Sequence, residues 1–235
     1  MEPKYKRILV KLSGEALKAN ADGILDFAML DTVATAIKKC VKEGVEVAVL
    51  VGAGNIWRGA GGVGMNRARA DHMGMLATVI NSIALEDAFR RAGIDAVAMS
   101  AAEMNDFAEL YTRDKADRYL KQGRVVILGA GSGNPFFTTD TAAIIRAAEL
   151  EVDVAILAKN IDAIYDKDPR KYDDAVRFDT VNYDYIIDHK LKVIDLAAAT
   201  LSSENNVPLL LCALEDPENI CRAVFGERIG TVVTR

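Results

Sequence analysis

Gly129, Gly131 and Gly133 fall in the run GAGSGNPFFTTD (Gly129 to Asp140), between an apolar stretch, Val125 to Leu128, and a helix-like stretch, TAAIIRAAEL. Strand, glycine loop and helix start in that order describe a ligand site. Glycine reaches positive φ and carries no side chain, so amide N–H groups can turn toward an anion, and phosphate is the usual guest. Thr138, Thr139 and Asp140 bring hydroxyls and a carboxylate to the helix start, where Asp140 or Thr139 is the expected N-cap, and Pro135 stiffens the exit. The alternative is a well-capped connection without a ligand. Phe136 and Phe137 argue against it, since adjacent apolar residues in a loop must bury or meet a flat ligand. An aspartate beside a phosphate nest repels the anion unless a divalent cation lies between them, so the loop points to a nucleotide with magnesium.

Other candidate residues also follow strand-like runs. Arg7 to Leu12 reads as a strand ending at Ser13-Gly14, and Lys11 lies inside it. Alternation alone would allow Lys11 to point at a solvated face, whereas its place beside the Ser-Gly turn favours a phosphate contact. A second strand, Val45 to Val51, empties into GAGNIWRGAGGVGMNR. There Arg58 is either a surface arginine or a guanidinium forked onto phosphate oxygens. Gly59, Gly61 and Gly64 match the dinucleotide pattern, but they begin eight residues past the strand, where that fingerprint has no gap. Asp71 is a plausible cap for a helix over Asp71 to Phe89 and could also accept from a ribose. On that helix Met73, Leu76, Ile80, Ile83 and Phe89 share a face that reads as core, and His72 reads as structural. A third strand, Val152 to Ala158, ends in KNIDAIYDKDPRKYDD. This is either a solvated loop or a nucleoside site, with Tyr165 on a purine and Asn160 and Asp168 as polar contacts.

The remaining elements supply the scaffold. Helices are expected over Asp26 to Val41, Arg113 to Gln122, Asn182 to His189 and Asp195 to Ser203, the last capped by Asp195, with one more opening at Pro217. Asp95 to Met99, Val207 to Ala213 and Gly230 to Thr234 read as strands, and Asn105 to Tyr111 fits no single pattern. Strands alternating with helices imply an α/β fold, a mostly parallel sheet covered on both faces, with ligands beyond the carboxyl ends of the strands. At 235 residues and 51% hydrophobic content the chain can bury one large core, so residues 1–235 are read as a single domain.

The net charge of −5 and the lack of a Lys/Arg-rich block argue against nucleic acid and anionic membrane as partners. Cys40, Cys212 and Cys221 lack metal-ligand spacing and fit reduced thiols in a cytoplasm. Two histidines supply a transition-metal site poorly, whereas carboxylates suited to magnesium abound. No segment approaches about eighteen consecutive apolar residues, the length a spanning helix needs. A soluble, cytoplasmic protein is expected. Two cations, three glycine-rich turns and several aspartates are what phosphoryl transfer needs, since that reaction is mostly positioning and neutralisation of oxygens. The Walker-A and protein-kinase motifs are missing.

KLSG and the GAGN that follows the second strand resemble the amino-acid-kinase family. ADHMGMLAT and GNPFFTTD resemble its bacterial-type UMP (uridylate) kinases, and the likeness runs from YKRILVKLSGEAL to the final GTVVT. The resemblance implies a three-layer αβα sandwich and transfer of the ATP γ-phosphoryl group to UMP, in pyrimidine nucleotide (CTP) biosynthesis. It implies that Lys11, Leu12, Ser13, Gly14, Gly54, Arg58, Asn160, Tyr165 and Asp168 meet ATP. Ala53, Asp71, Ser132, Gly133, Asn134, Pro135, Phe136, Phe137, Thr138 and Thr139 would meet UMP. Lys11, Arg58, Asp140 and Asp195 would be catalytic, with Mg2+ held mainly by the nucleotide phosphates and Asp140 or Asp195 as possible ligands. It implies further a homohexamer, activation by GTP and inhibition by UTP. Three departures stand out: Ala53 replaces a common glycine, IDAIY replaces VDGVY, and Lys18 to Gly23 is shorter than where that region serves GTP activation. A kinase for another small acid, or a catalytically silent nucleotide-binding protein on the same fold, are the competing readings.

Overall fold

The computed structural model describes residues 2–18, 23–57, 64–191 and 193–235. Its strands are β1 (Arg7–Leu12), β2 (Glu46–Val51), β3 (Ala96–Ser100), β4 (Glu109–Leu110), β5 (Val125–Gly129), β6 (Val154–Lys159), β7 (Ile164–Tyr165), β8 (Arg177–Phe178), β9 (Thr180–Asn182), β10 (Leu209–Ala213) and β11 (Thr231–Thr234). Among the described residues, nine of them form one sheet in the order β4-β3-β5-β2-β1-β6-β10-β11-β9, while β7 and β8 pair separately. Neighbours in the large sheet run parallel except β10 and β11.

Helices cover both faces. α1 (Phe27–Lys42), α2 (Arg67–Arg91), α3 (Arg113–Lys121), α4 (Thr139–Glu149), α5 (Tyr183–Asp188), α6 (Leu196–Glu204) and α7 (Glu218–Val224) divide between two apolar cores. One core joins α1, α2 and α7 to the sheet, and the other joins α3, α4, α5 and α6 to its opposite face. This is the expected three-layer αβα arrangement.

The two-residue period of a strand decides where the cations point. In β1, Ile8, Val10 and Leu12 enter the first core and Leu9 the second, so Lys11 lies on the side of α4. In β6, Val154, Ile156 and Ala158 enter the first core and Ala155 and Leu157 the second, which puts Lys159 on the same side. The strands are neighbours with Lys11 opposite Leu157, so the two lysines sit one pleat apart at the carboxyl end of the sheet. The expected strand stopped at Ala158; its extension by one residue is what brings Lys159 into place.

α2 departs from expectation twice. It starts at Arg67 with Asn66 as cap, whose side chain accepts from Arg69 N, so Asp71 lies one turn inside and caps nothing. Good helix formers directly after Asn66 explain the earlier start. Its apolar stripe also faces outward: Met73 is 40% exposed, Leu76 and Ile80 51% and Ile83 39%, while Phe89 is buried. The inner face of its central turns carries Ala77, Thr78, Asn81 and Ser82 instead. No helix of the described residues is long and apolar enough to cross a membrane. The three cysteines are buried and free, and burial pushes the Cys212 thiol up to about 12.

Candidate active site

Four connections meet at the carboxyl ends of β1, β2, β5 and β6. After β1 the chain turns into a short 3-10 helix, Gly14–Leu17. A Cβ on Gly14 would stand 2.5 Å from Gly52 O and 2.6 Å from Gly54 N, so the turns after β1 and β2 touch backbone to backbone. Only glycine permits that approach. The connection after β5 holds Ala130 at φ 60 and Phe136 at φ 72, both in the left-handed region, a pattern of strain typical of ligand-binding loops. The Phe136 N–H donates to Asp71 Oδ2 at 2.8 Å, so Asp71 ties this loop to α2, and Arg67 pairs with the same carboxylate one turn earlier.

At the start of α4 the cap is Thr138, whose Oγ1 accepts from Asp140 N and Thr141 N, each at 3.1 Å. The sequence points to Thr139 or Asp140. Because the cap lies earlier, the Asp140 side chain is free to face the sheet, and it meets both lysines: Oδ2 is 2.5 Å from Lys159 Nζ and Oδ1 2.9 Å from Lys11 Nζ. The second contact is an ion pair without hydrogen-bond geometry. Burial pushes the Asp140 carboxyl up, but the two lysines outweigh it and hold it below its ordinary value. Burial drives Lys159 below its ordinary value although Asp140 opposes the shift. The cations that stand beside this aspartate in the chain itself are the two lysines. Asp195 caps α6 through Ala198 N and accepts from the hydroxyls of Thr138 and Thr141, locking the starts of α4 and α6 together. With both carboxylates so engaged, neither offers an open ligand set, and no cluster of metal-ligating side chains occurs among the described residues. These residues do not fit a protein-held magnesium.

Among the described residues, two cavities at this centre share Lys11. One, of about 690 Å³, is lined by Asn160, Ile161, Tyr165, Asp168, Arg170, Tyr172, Lys190 and Lys159. The other, of about 420 Å³, is lined by Gly52, Ala53, Gly54, Trp57, Arg67, Asp71, Thr78, Ser132, Asn134, Phe137, Thr138 and Thr139. Lys11, Ser13 and Glu15 line both.

Most of the residues singled out in the sequence come together here. Gly14 and Gly54, which the resemblance assigns to ATP, line the smaller cavity beside the junction. Leu12 turns its side chain into the core and offers only its carbonyl, which Gly52 N already meets. Gly133, Pro135 and Phe136 do not line the cavity; Gly133 packs against Ala101, and Phe136 is 65% exposed. Phe137 is half exposed at the rim, so the phenylalanine pair is not buried. Arg58 lies outside the described residues. Sequence reasoning missed Lys159, Trp57, Arg67 and Thr78. The parity of β6 carried the signal for Lys159, and the i, i+4 spacing to Asp71 carried it for Arg67.

A family model described as the amino acid kinase family matches residues 6–214. Among solved structures, the UMP kinase from Bacillus anthracis is 34% identical with a TM-score of 0.94, over 98% of this chain and 96% of that one. The UMP kinase from Ureaplasma parvum is 34% identical with a TM-score of 0.93, over 99% of this chain and 100% of that one. A uridylate kinase from Archaeoglobus fulgidus is 27% identical with a TM-score of 0.76, over 97% and 99%.

Proposed function

The chain belongs to the amino acid kinase family, and on that premise we infer that it is a UMP kinase, transferring the γ-phosphoryl group of ATP reversibly to UMP to give ADP and UDP. The observation that carries this is the pair of cavities sharing Lys11, Ser13 and Glu15, since a phosphoryl donor and acceptor need two sites that touch at one point. ATP takes the larger cavity, its nucleoside beside Tyr165, Asn160 and Asp168. UMP takes the smaller, between Ala53, Asp71 and the segment Ser132 to Thr139.

An oxygen of the UMP phosphate attacks the γ-phosphorus as the bond to the β–γ bridging oxygen breaks, and the electron pair leaves on ADP. The acceptor oxygen is already anionic, so no general base is required. Lys11 and Lys159 face the transferring group with preorganised positive charge, and Arg58 is assigned to the same task from the sequence. Asp140 fixes the two ammonium groups, and Asp195 fixes the segment that supplies Thr138. Bound with ATP, Mg2+ would supply neutralisation of the phosphate oxygens, and no side chain of this centre is assigned to it.

We read residues 1–235 as one domain of a cytoplasmic enzyme of pyrimidine nucleotide synthesis, with GTP and UTP as effectors. The Lys18 to Gly23 stretch that bears on GTP lies mostly outside the described residues. The exposed α2 stripe suits burial against further copies in a hexamer; a monomeric mass by light scattering would refute that assembly. The function itself is tested by ADP release with ATP and magnesium in the presence of UMP, CMP, dUMP, carbamate or glutamate, offered separately. Turnover with UMP and not with the acids is expected. Release only with an acid would place the chain among kinases of another acceptor.

A further inference from the structure

Thr78, Asn81 and Ser82 form a polar strip on the buried face of α2, at 2%, 0% and 1% exposure. Threonine, asparagine and serine are poor residues for a helix interior, and buried polar atoms destabilise unless paired. Here the pairs lead out of the helix, into the two glycine connections that wall the smaller cavity. Asn81 Nδ2 donates to Gly52 O at 2.7 Å and to Asn55 Oδ1 at 2.8 Å, while Asn81 Oδ1 accepts from Asn55 Nδ2 at 2.9 Å. That reciprocal amide bracket uses both donors of Asn81 and fixes both ends of the turn from Gly52 to Asn55. Thr78 Oγ1 accepts from Ala130 N at 2.8 Å and donates to Met75 O at 2.7 Å. Ala130 is a residue held in left-handed backbone, so this bond secures strained geometry. Ser82 donates to Thr78 O, and a Cβ on Gly129 would stand 3.0 Å from its Oγ, so the strand end lies directly against the strip.

We propose that Asn81 and Thr78 are positioning residues: one buried polar strip on α2 sets the relative placement of both loops that hold the phosphoryl acceptor. Asn81 does not line the cavity and acts through Gly52 and Asn55. Thr78 acts through Ala130. A single rigid helix thereby fixes two loops from different strands, which local turn chemistry could not do.

The inference rests on the acceptor assignment above, so its test includes a readout that needs no ligand. Asn81→Leu, Thr78→Val and Thr78→Ser are compared for KM of UMP, KM of ATP, kcat, and amide hydrogen exchange of the nucleotide-free protein. Asn81→Leu and Thr78→Val are expected to raise KM for UMP roughly tenfold, with KM for ATP little changed. Exchange should accelerate locally, across residues 52–57 in Asn81→Leu and 129–135 in Thr78→Val. Thr78→Ser keeps the hydroxyl that Ala130 N donates to, so its local exchange across residues 129–135 should match the parent. If Asn81→Leu fails to fold, the two Thr78 variants decide the question through Ala130. Unchanged exchange in a folded Thr78→Val variant overturns the proposal, even where KM rises, because the hydroxyl would then act by direct contact. If the parent protein does not turn over UMP, the function assignment fails, and local exchange alone judges the positioning role.

Discussion

Asp140 shares its carboxylate with Lys159 at 2.5 Å and Lys11 at 2.9 Å, and all three are largely buried. Replacing it with asparagine leaves two ammonium groups facing each other without a counter-charge. Asp140→Asn is therefore expected to lower kcat by at least about a hundredfold, the scale of losing one organising charge. ATP binding should not weaken, because the site becomes more positive. The pH dependence follows from Lys159: burial lowers its pKa and Asp140 partly restores it, so removing Asp140 lowers it further. The cation is then lost at lower pH, and the alkaline limb of the kcat profile should move to lower pH in Asp140→Asn. An unmoved limb would show that Lys159 does not carry the dependence. Lys11 and Asp140 were legible as single residues in the sequence because each borders a glycine turn. Their pairing, and the third member Lys159, depended on which face of two neighbouring strands each residue occupies, which a linear pattern of charges does not display.

At the scale of elements, the site depends on turns that approach too closely for side chains. Gly14→Ala would place a Cβ 2.5 Å from Gly52 O and 2.6 Å from Gly54 N, both backbone atoms that cannot rotate away. The turns after β1 and β2 must separate, and the misalignment is expected to reduce kcat/KM at least about a hundredfold while the protein stays folded. Steady-state rates together with circular dichroism check this; normal rates would mean the turns yield without consequence. Strands and helices were largely readable from apolar periodicity, as with α1, and from capping residues, as with Asp195 on α6. Periodicity identified the apolar stripe of α2 and misjudged its direction. A stripe says only that one face is apolar, and Met73, Leu76, Ile80 and Ile83 face outward because Thr78, Asn81 and Ser82 are needed inward against the glycine loops.

For the whole molecule, the parallel sheet gathers every suspicious loop at one edge, and that was legible from the order of strands and helices alone. The division into two cavities was not, since it depends on how the connections after β2, β5 and β6 lean over the sheet. The central claim is that both nucleotides are bound together and the phosphoryl group passes directly between them across Lys11 and Lys159. Initial rates measured over a matrix of ATP and UMP concentrations test it most directly. Intersecting double-reciprocal lines, with no ATP–ADP exchange in the absence of UMP, are the predicted result. Parallel lines with such exchange would reveal a phosphorylated enzyme intermediate and contradict direct transfer.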